Sequence, residues 1–194
     1  MTVLNAKRIS IGTSLPPFDA AGSVEILEQP RTGFFCSTQC PGSVILKTFD
    51  AITAMRNRGE IVIGGFHSPM EWECLGILLR GRQPVIWVPA RSIEAMHLKP
   101  ELEPAFKGGR LLILSPFGPK QRRITAELAD QRNRFVASLA TTIFVAHAAP
   151  GSRTFSLCTE LRHHNRQLFT IDDPTNANLT ALGASVHGHL GSDW

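Results

Sequence analysis

Between residues 33 and 171 the chain passes through six short apolar stretches: Gly33–Ser37, Glu60–Gly65, Pro84–Pro89, Arg110–Ser115, Thr141–His147 and Gln167–Ile171. Each is nearly continuously apolar rather than alternating, the pattern of strands buried on both faces. Helical periodicity fills most of the gaps. Ile45, Phe49, Ile52 and Met55 share one face of a helix predicted from Ser43 to Arg58, with Gly59 as its stop. Ser68-Pro69-Met70-Glu71 reads as a capping box with proline in the first helical position, and Gly81 ends the helix it opens. Ile124, Leu128, Phe135 and Leu139 mark another stripe, and Ser152 is the predicted N-cap of a helix burying Phe155, Cys158 and Leu161. The segment before Arg110 is less regular, with Pro100 and Pro104 inside it.

Strand, helix and strand repeated in this way predict an α/β fold: a Rossmann-like open parallel sheet of about six or more strands, with helices on both faces. Residues 33–186 are expected to form this domain. Residues 1–32, broken by Pro16, Pro17, Gly22 and Pro30, are expected to pack on it as an extension with a short strand near Lys7–Gly12 and a short helix near Val24–Leu27. Residues 187–194, with His187 and His189 between glycines, are expected to be a flexible tail.

Composition adds less. With 43% hydrophobic and 19% charged residues in 194, the chain is ordinary globular material. It has no apolar run of membrane-spanning length, and MTVLNAKRIS lacks the apolar core of a signal peptide, so a cytoplasmic protein without membrane partners is expected. Cys36, Cys40, Cys74 and Cys158 form no CxxC pair and are expected as free thiols. A net charge of +4 favours anionic partners.

In an open parallel sheet, ligands sit beyond the carboxyl ends of the strands. The loops there hold Ser37 and Thr38, Gly64, Gly65 and His67, then Lys120, Arg122 and Arg123, then Gly151, Ser152, Arg153 and Thr154. Glycines let a backbone approach a ligand, and helix amino termini offer N–H groups to an anion. The predicted ligand is an anion, foremost a phosphate. Glu71 is expected to cap its helix rather than to catalyse, and His67, Glu71 and Cys74 do not form a recognised metal set. No catalytic residue, metal or cofactor is assigned. There is no GxGxxG after the first strand, no GxxxxGK[ST] and no GxSxG. Arg132 falls within about 40° of Leu128 on an unbroken helix, hence on the buried stripe. It then needs a partner there, or its head reaches the cleft. Alternatively the helix breaks near Asp130 and restarts.

The segment Gln131-Arg132-Asn133-Arg134-Phe135-Val136-Ala137-Ser138-Leu139-Ala140, followed by Ile143-Phe144-Val145-Ala146-His147-Ala148, resembles the RNR signature of the DprA/Smf DNA-processing proteins. Gly151-Ser152-Arg153-Thr154 is similar to that family's small-residue loop. Asn176-Ala177-Asn178-Leu179 with Leu182-Gly183-Ala184 is similar to its closing element. The resemblance spans about residues 23–186. Cys36-Ser37-Thr38 stands where the family has Gly-Ser-Arg, and no carboxyl-terminal winged helix is expected. The resemblance implies a Rossmann-like core that binds single-stranded DNA in a basic pocket, a homodimer, and a role in DNA uptake and recombination with a recombinase partner. Arg132, Asn133, Arg134, the loop Gly151–Thr154 and Asn178 carry over as site candidates. The alternative is a nucleotide sensor or a phosphoribohydrolase-like enzyme of the same superfamily. Pro150–Thr154 partly echoes the Pro-Gly-Gly-x-Gly-Thr loop of those enzymes, and Glu71 or Glu160 would be the acid–base group. Phe66 and Phe117 are the aromatic residues expected at the rim for base stacking.

Overall fold

A computed structural model describes residues 2–12 and 15–187. One nine-stranded sheet organises the chain. Its strands are β1 (Lys7–Ile9), β2 (Phe18–Ala21), β3 (Arg31–Cys36), β4 (Ile61–Gly64), β5 (Val85–Trp87), β6 (Leu111–Ser115), β7 (Thr142–His147), β8 (Leu168–Ile171) and β9 (Ser185–His187). The order is β1-β2-β6-β5-β4-β3-β7-β8-β9. From β6 to β9 every pairing is parallel.

The six predicted strands are all present as β3 to β8, and the sheet has the expected Rossmann-like character. It is mixed rather than wholly parallel, because β1 and β2 join it antiparallel beside β6. β9 continues the other edge into residues expected to begin a tail; residues 188–194 of that expected tail lie outside the described residues.

The helices are α1 (Gly42–Asn57), α2 (Pro69–Leu79), α3 (Glu103–Lys107), α4 (Ala126–Leu139), α5 (Arg153–His163) and α6 (Ala177–Ala181). They cover both faces. On one face Val44, Ile52 and Met55 of α1 and Leu75 and Leu78 of α2 pack on Phe34, Val62, Val85 and Phe144. On the other, Phe135, Val136 and Leu139 of α4 and Leu157 and Leu161 of α5 pack on Phe35, Ile63, Ile86 and Val145. Neighbouring strand residues such as Val62 and Ile63 enter opposite cores. This is why the strands read as continuous apolar runs.

Local signals set the helix ends. Gly59, at φ +77°, turns the chain after α1 as a glycine past a helix end can. The capping box of α2 is complete: Ser68 Oγ accepts from Glu71 N at 3.2 Å, and Glu71 Oε2 accepts from Ser68 N at 2.9 Å. Thr125 and Ser152 cap α4 and α5 by accepting from Leu128 N and Phe155 N.

Candidate anion-binding cleft

The strand order reverses at β3, which has β4 on one side and β7 on the other. Beyond the carboxyl ends of β3 and β7 lies the crevice where open α/β sheets take ligands. A cavity of about 660 Å³ occupies it. Its walls come from the loop after β3, the loop from β4 into α2, the first half of α4, and the loop from β7 into α5.

The β3 and β7 loops are tied together by hydroxyls. Ser37 Oγ donates to Ser152 Oγ at 3.1 Å and accepts from Ala149 N at 3.2 Å. Ser152 Oγ in turn accepts from Phe155 N at 3.1 Å, so one chain of hydrogen bonds fixes the amino terminus of α5 against the end of β3. Gly151, at φ +73°, makes the tight turn that admits this arrangement. Arg153, in the first turn of α5, is exposed on the cavity wall, and its side chain makes no hydrogen bond or ion pair with another described residue.

Behind this loop His147 is buried, with Nδ1 2.7 Å from Asn176 Oδ1. The Asn176 amide nitrogen donates to the carbonyls of Ala146 and Ile171, leaving its oxygen to accept and the imidazole proton on Nδ1.

Arg132 is the central charge. It is 5% exposed, and α4 is continuous through it, so the break near Asp130 does not occur. Its side chain passes under Gly65, where an added Cβ would stand 1.4 Å from Nη1. Glycine is required there because the guanidinium lies against the backbone. Nη1 donates to the Val88 carbonyl at 3.2 Å, and Nε is buried without a partner. Burial pushes this guanidinium below the usual arginine range, and the nearby Glu71 carboxylate partly counters the effect. Glu71 forms no ion pair with it; its Oε2 accepts from the His67 and Ser68 amides at 3.1 and 2.9 Å. A buried cation without a bonded carboxylate is costly in a folded chain unless an anion joins it.

Ser37, Thr38, His67, Arg132, Asn133, Ser152, Arg153 and Thr154 all line the cavity. Other sequence candidates stand elsewhere. Gly65 backs Arg132, and Gly64 packs against the Phe66 ring. Lys120, Arg122 and Arg123 lie on an exposed loop that leads to the cavity-lining Ile124 and Thr125. Arg134 is not among the residues lining the cavity; its guanidinium is taken up by Asp130, which does line it, and by Glu160. This also occupies Glu160, one of the two acid–base candidates. Asn178 lies behind the cavity and donates to the Ala148 carbonyl at 2.8 Å, bracing the loop after β7. Phe66 and Phe117 are buried rather than at the rim: Phe66 packs in the core near Phe34, and Phe117 is 3% exposed.

Ala126, Ala129 and Asp130 also line the cavity and are not among the sequence candidates. The signal for them is Thr125. Taken as the N-cap, it starts α4 at Ala126 and sets residues 126, 129, 130 and 133 one helical turn apart beside Arg132. Among the described residues no group of His, Cys, Asp and Glu side chains is placed to hold a metal, and no helix is long and apolar enough to cross a membrane.

No family model matches the sequence, and no curated protein matches it. Solved structures do. DNA processing protein A from Helicobacter pylori, described with a single-stranded DNA binding mode, superposes with a TM-score of 0.76 at 14% identity, over 94% of this chain and 91% of its own. DNA processing protein A (DprA) from Streptococcus pneumoniae gives 0.71 at 18% identity over 88% of this chain; the match spans 62% of that longer protein. The molybdenum cofactor carrier protein from Chlamydomonas reinhardtii gives 0.56 at 12% identity, over 82% of this chain and 90% of its own. By its sheet, its helices and these superpositions, the chain has a DprA-like, Rossmann-type α/β fold.

Proposed function

We propose that this chain is a DprA-like nucleic-acid-binding protein that holds backbone phosphate of single-stranded DNA in the cleft between β3 and β7. The observation that carries the proposal is Arg132, a buried guanidinium with no bonded carboxylate at the cavity wall. Arg153 and the amino terminus of α5 supply further positive charge facing the same space. The exposed Lys120, Arg122 and Arg123 extend that charge outward along one approach. With Phe66 and Phe117 buried, recognition rests on phosphate and not on base stacking by these rings, so little sequence preference is expected. The H. pylori neighbour, described as binding single-stranded DNA, has the same fold over most of both chains. A homodimer, a recombinase partner and a role in DNA uptake follow from the resemblance and extend the proposal.

The test is fluorescence anisotropy of a labelled oligo-dT strand across a salt series. Binding should weaken with salt, and Arg132→Met and Arg153→Ala should each lower affinity about tenfold, the scale of one charge-assisted hydrogen bond. Absence of binding at low salt sinks the reading. The second reading, a phosphate-bearing small molecule, is favoured by a cavity of nucleotide size and by the fold shared with molybdenum cofactor carriers. A rise in melting temperature with nucleoside monophosphates, without strand binding, would select it.

A further inference from the structure

The end of the sheet opposite the cleft carries a second concentration of positive charge. The loops that enter β4 and β5 lie at the amino ends of the parallel strands. They contain Arg56-Asn57-Arg58-Gly59 and Arg80-Gly81-Arg82-Gln83, which together line a groove of about 550 Å³. Four arginines thus converge there from the carboxyl ends of α1 and α2. The only acidic side chain in the two loops is Glu60, which accepts from Arg58 Nε at 2.7 Å. Arg56 is folded onto its neighbour, with Nε and Nη2 donating to Asn57 Oδ1 at 3.1 and 2.9 Å. Arg80 and Arg82 are exposed and make no side-chain hydrogen bond or ion pair with another described residue.

The carboxyl end of a helix favours a cation, which accounts for Arg56 in the last turn of α1. The same preference covers Arg58 and Arg80, the C-cap residues of α1 and α2, but not Arg82, which stands beyond α2 and faces the same groove. Like charges gathered this closely repel one another unless counter-charge joins them. Nor is the loop loose. Arg110 Nη1 donates to the carbonyls of Leu79 and Gly81 at 3.3 and 2.8 Å, and Gln83 Nε2 donates to the Leu78 carbonyl at 3.1 Å. The groove is therefore held in shape before any ligand arrives.

We infer that this groove is a second nucleic-acid contact, which takes the phosphodiester backbone of a strand on Arg80 and Arg82 with Arg56 and Arg58 beside them. All four cations are arginine, whose planar fork matches a phosphate with two parallel hydrogen bonds. A strand offers repeated phosphates to such a double row. A lipid surface is less well matched, since none of the exposed large apolar side chains (Val3, Ile11, Val24, Leu46 and Ile124) lies in the two loops to anchor in a bilayer. Because cleft and groove lie at opposite ends of the strands, one molecule would hold two strands, or two parts of one strand, at the same time.

The experiment uses the full chain and fluorescein-labelled oligo-dT, with Arg80→Ala/Arg82→Ala made in the wild-type and the Arg132→Met backgrounds. Arg153→Ala serves as a second cleft-impaired background should Arg132→Met not fold. In the cleft-impaired background binding should persist. The double substitution should then lower affinity about tenfold and reduce the slope of log K against log salt by about 1.4, at about 0.7 per lost single-strand phosphate contact. The melting temperature should not change. If Arg132→Met alone has no effect while the double substitution does, the groove stands and the cleft proposal falls. Unchanged affinity and slope in both backgrounds overturn the groove. So does binding of phosphatidylserine vesicles or polyglutamate, lost with the double substitution, in a protein that binds no oligonucleotide.

Discussion

Arg132 joins two opposed demands in one residue. Stability alone disfavours it, since burial strips water from a guanidinium whose Nε has no partner. Under the proposed function, anion binding explains its presence. Arg132→Met, which keeps the volume and removes the charge, should therefore leave stability unchanged or raise it by about 1–3 kcal/mol, as when buried charges are replaced by apolar side chains. It should lower ligand affinity in the same preparation. Urea denaturation reads the first effect and anisotropy the second; a clear loss of stability would make the arginine structural. Gly65 has the complementary role, because any side chain there must displace the guanidinium. The four free thiols divide in a similarly local way. Cys40 is held below the usual thiol range by its interaction with the neighbouring Cys36 thiol, and Cys36 is pushed up by the same interaction and by burial. Burial pushes Cys158 to about 12 and raises Cys74 as well. Iodoacetamide at neutral pH should therefore modify Cys40 first, with thiolate the reacting form. Peptide mass spectrometry over time checks the order, and earlier labelling of Cys74 or Cys158 would contradict it.

Elements are legible in the sequence where local chemistry alone decides them. The capping box of α2, the Ser152 cap of α5 and the six buried strands can all be read there, because each depends on neighbours within a few residues or on burial of both faces. β2 is not legible: Phe18-Asp19-Ala20-Ala21 has one large apolar residue, and its strand character comes from pairing with β6, which is distant in the chain. The cleft is legible in its loops and in Arg132. The positions of Arg134 and Asn178 are not, because their partners Glu160 and Ala148 become neighbours only through helix and loop packing. Local contacts also make elements testable one at a time. Ser68→Ala removes the α2 cap and should cost about 1 kcal/mol, measured by thermal or urea unfolding. At the start of α3, Glu103 accepts from Lys107 Nζ and from Thr2 N, each at 2.7 Å, which holds its carboxyl at about 2. A carboxyl depressed by folding contributes stability above its unfolded value of about 4, and that contribution is lost as pH falls through about 2. The melting-temperature difference between wild type and Glu103→Gln should therefore be full at pH 6 and vanish towards pH 2. A difference that does not change with pH would contradict the assignment.

At the scale of the molecule the cleft is a non-local object, made where β3, β4, α4 and α5 converge, so its geometry depends on contacts far from it. The antiparallel β1–β2 addition is one of these. β2 covers the edge of β6, and Phe18 packs on Phe135 of α4, with ring centroids 5.0 Å apart at an interplanar angle of 69°. Phe135 lies nearly one helical turn from Arg132, so Phe18 helps to seat the helix that positions the buried cation. Phe18 is fully buried. Phe18→Ala should cost about 3–5 kcal/mol through the cavity it leaves. If the added strands serve the site as well as the fold, the same substitution should weaken oligonucleotide binding measured below the unfolding transition, although residue 18 is not among those lining the cleft. A second cavity in the same core provides the control: Leu168→Ala empties a buried position on β8, a strand that pairs with β7 and β9 and not with β2. Comparable stability losses with unequal affinity losses would show that β1 and β2 hold α4 in place for the ligand; equal affinity losses would assign them to stability alone.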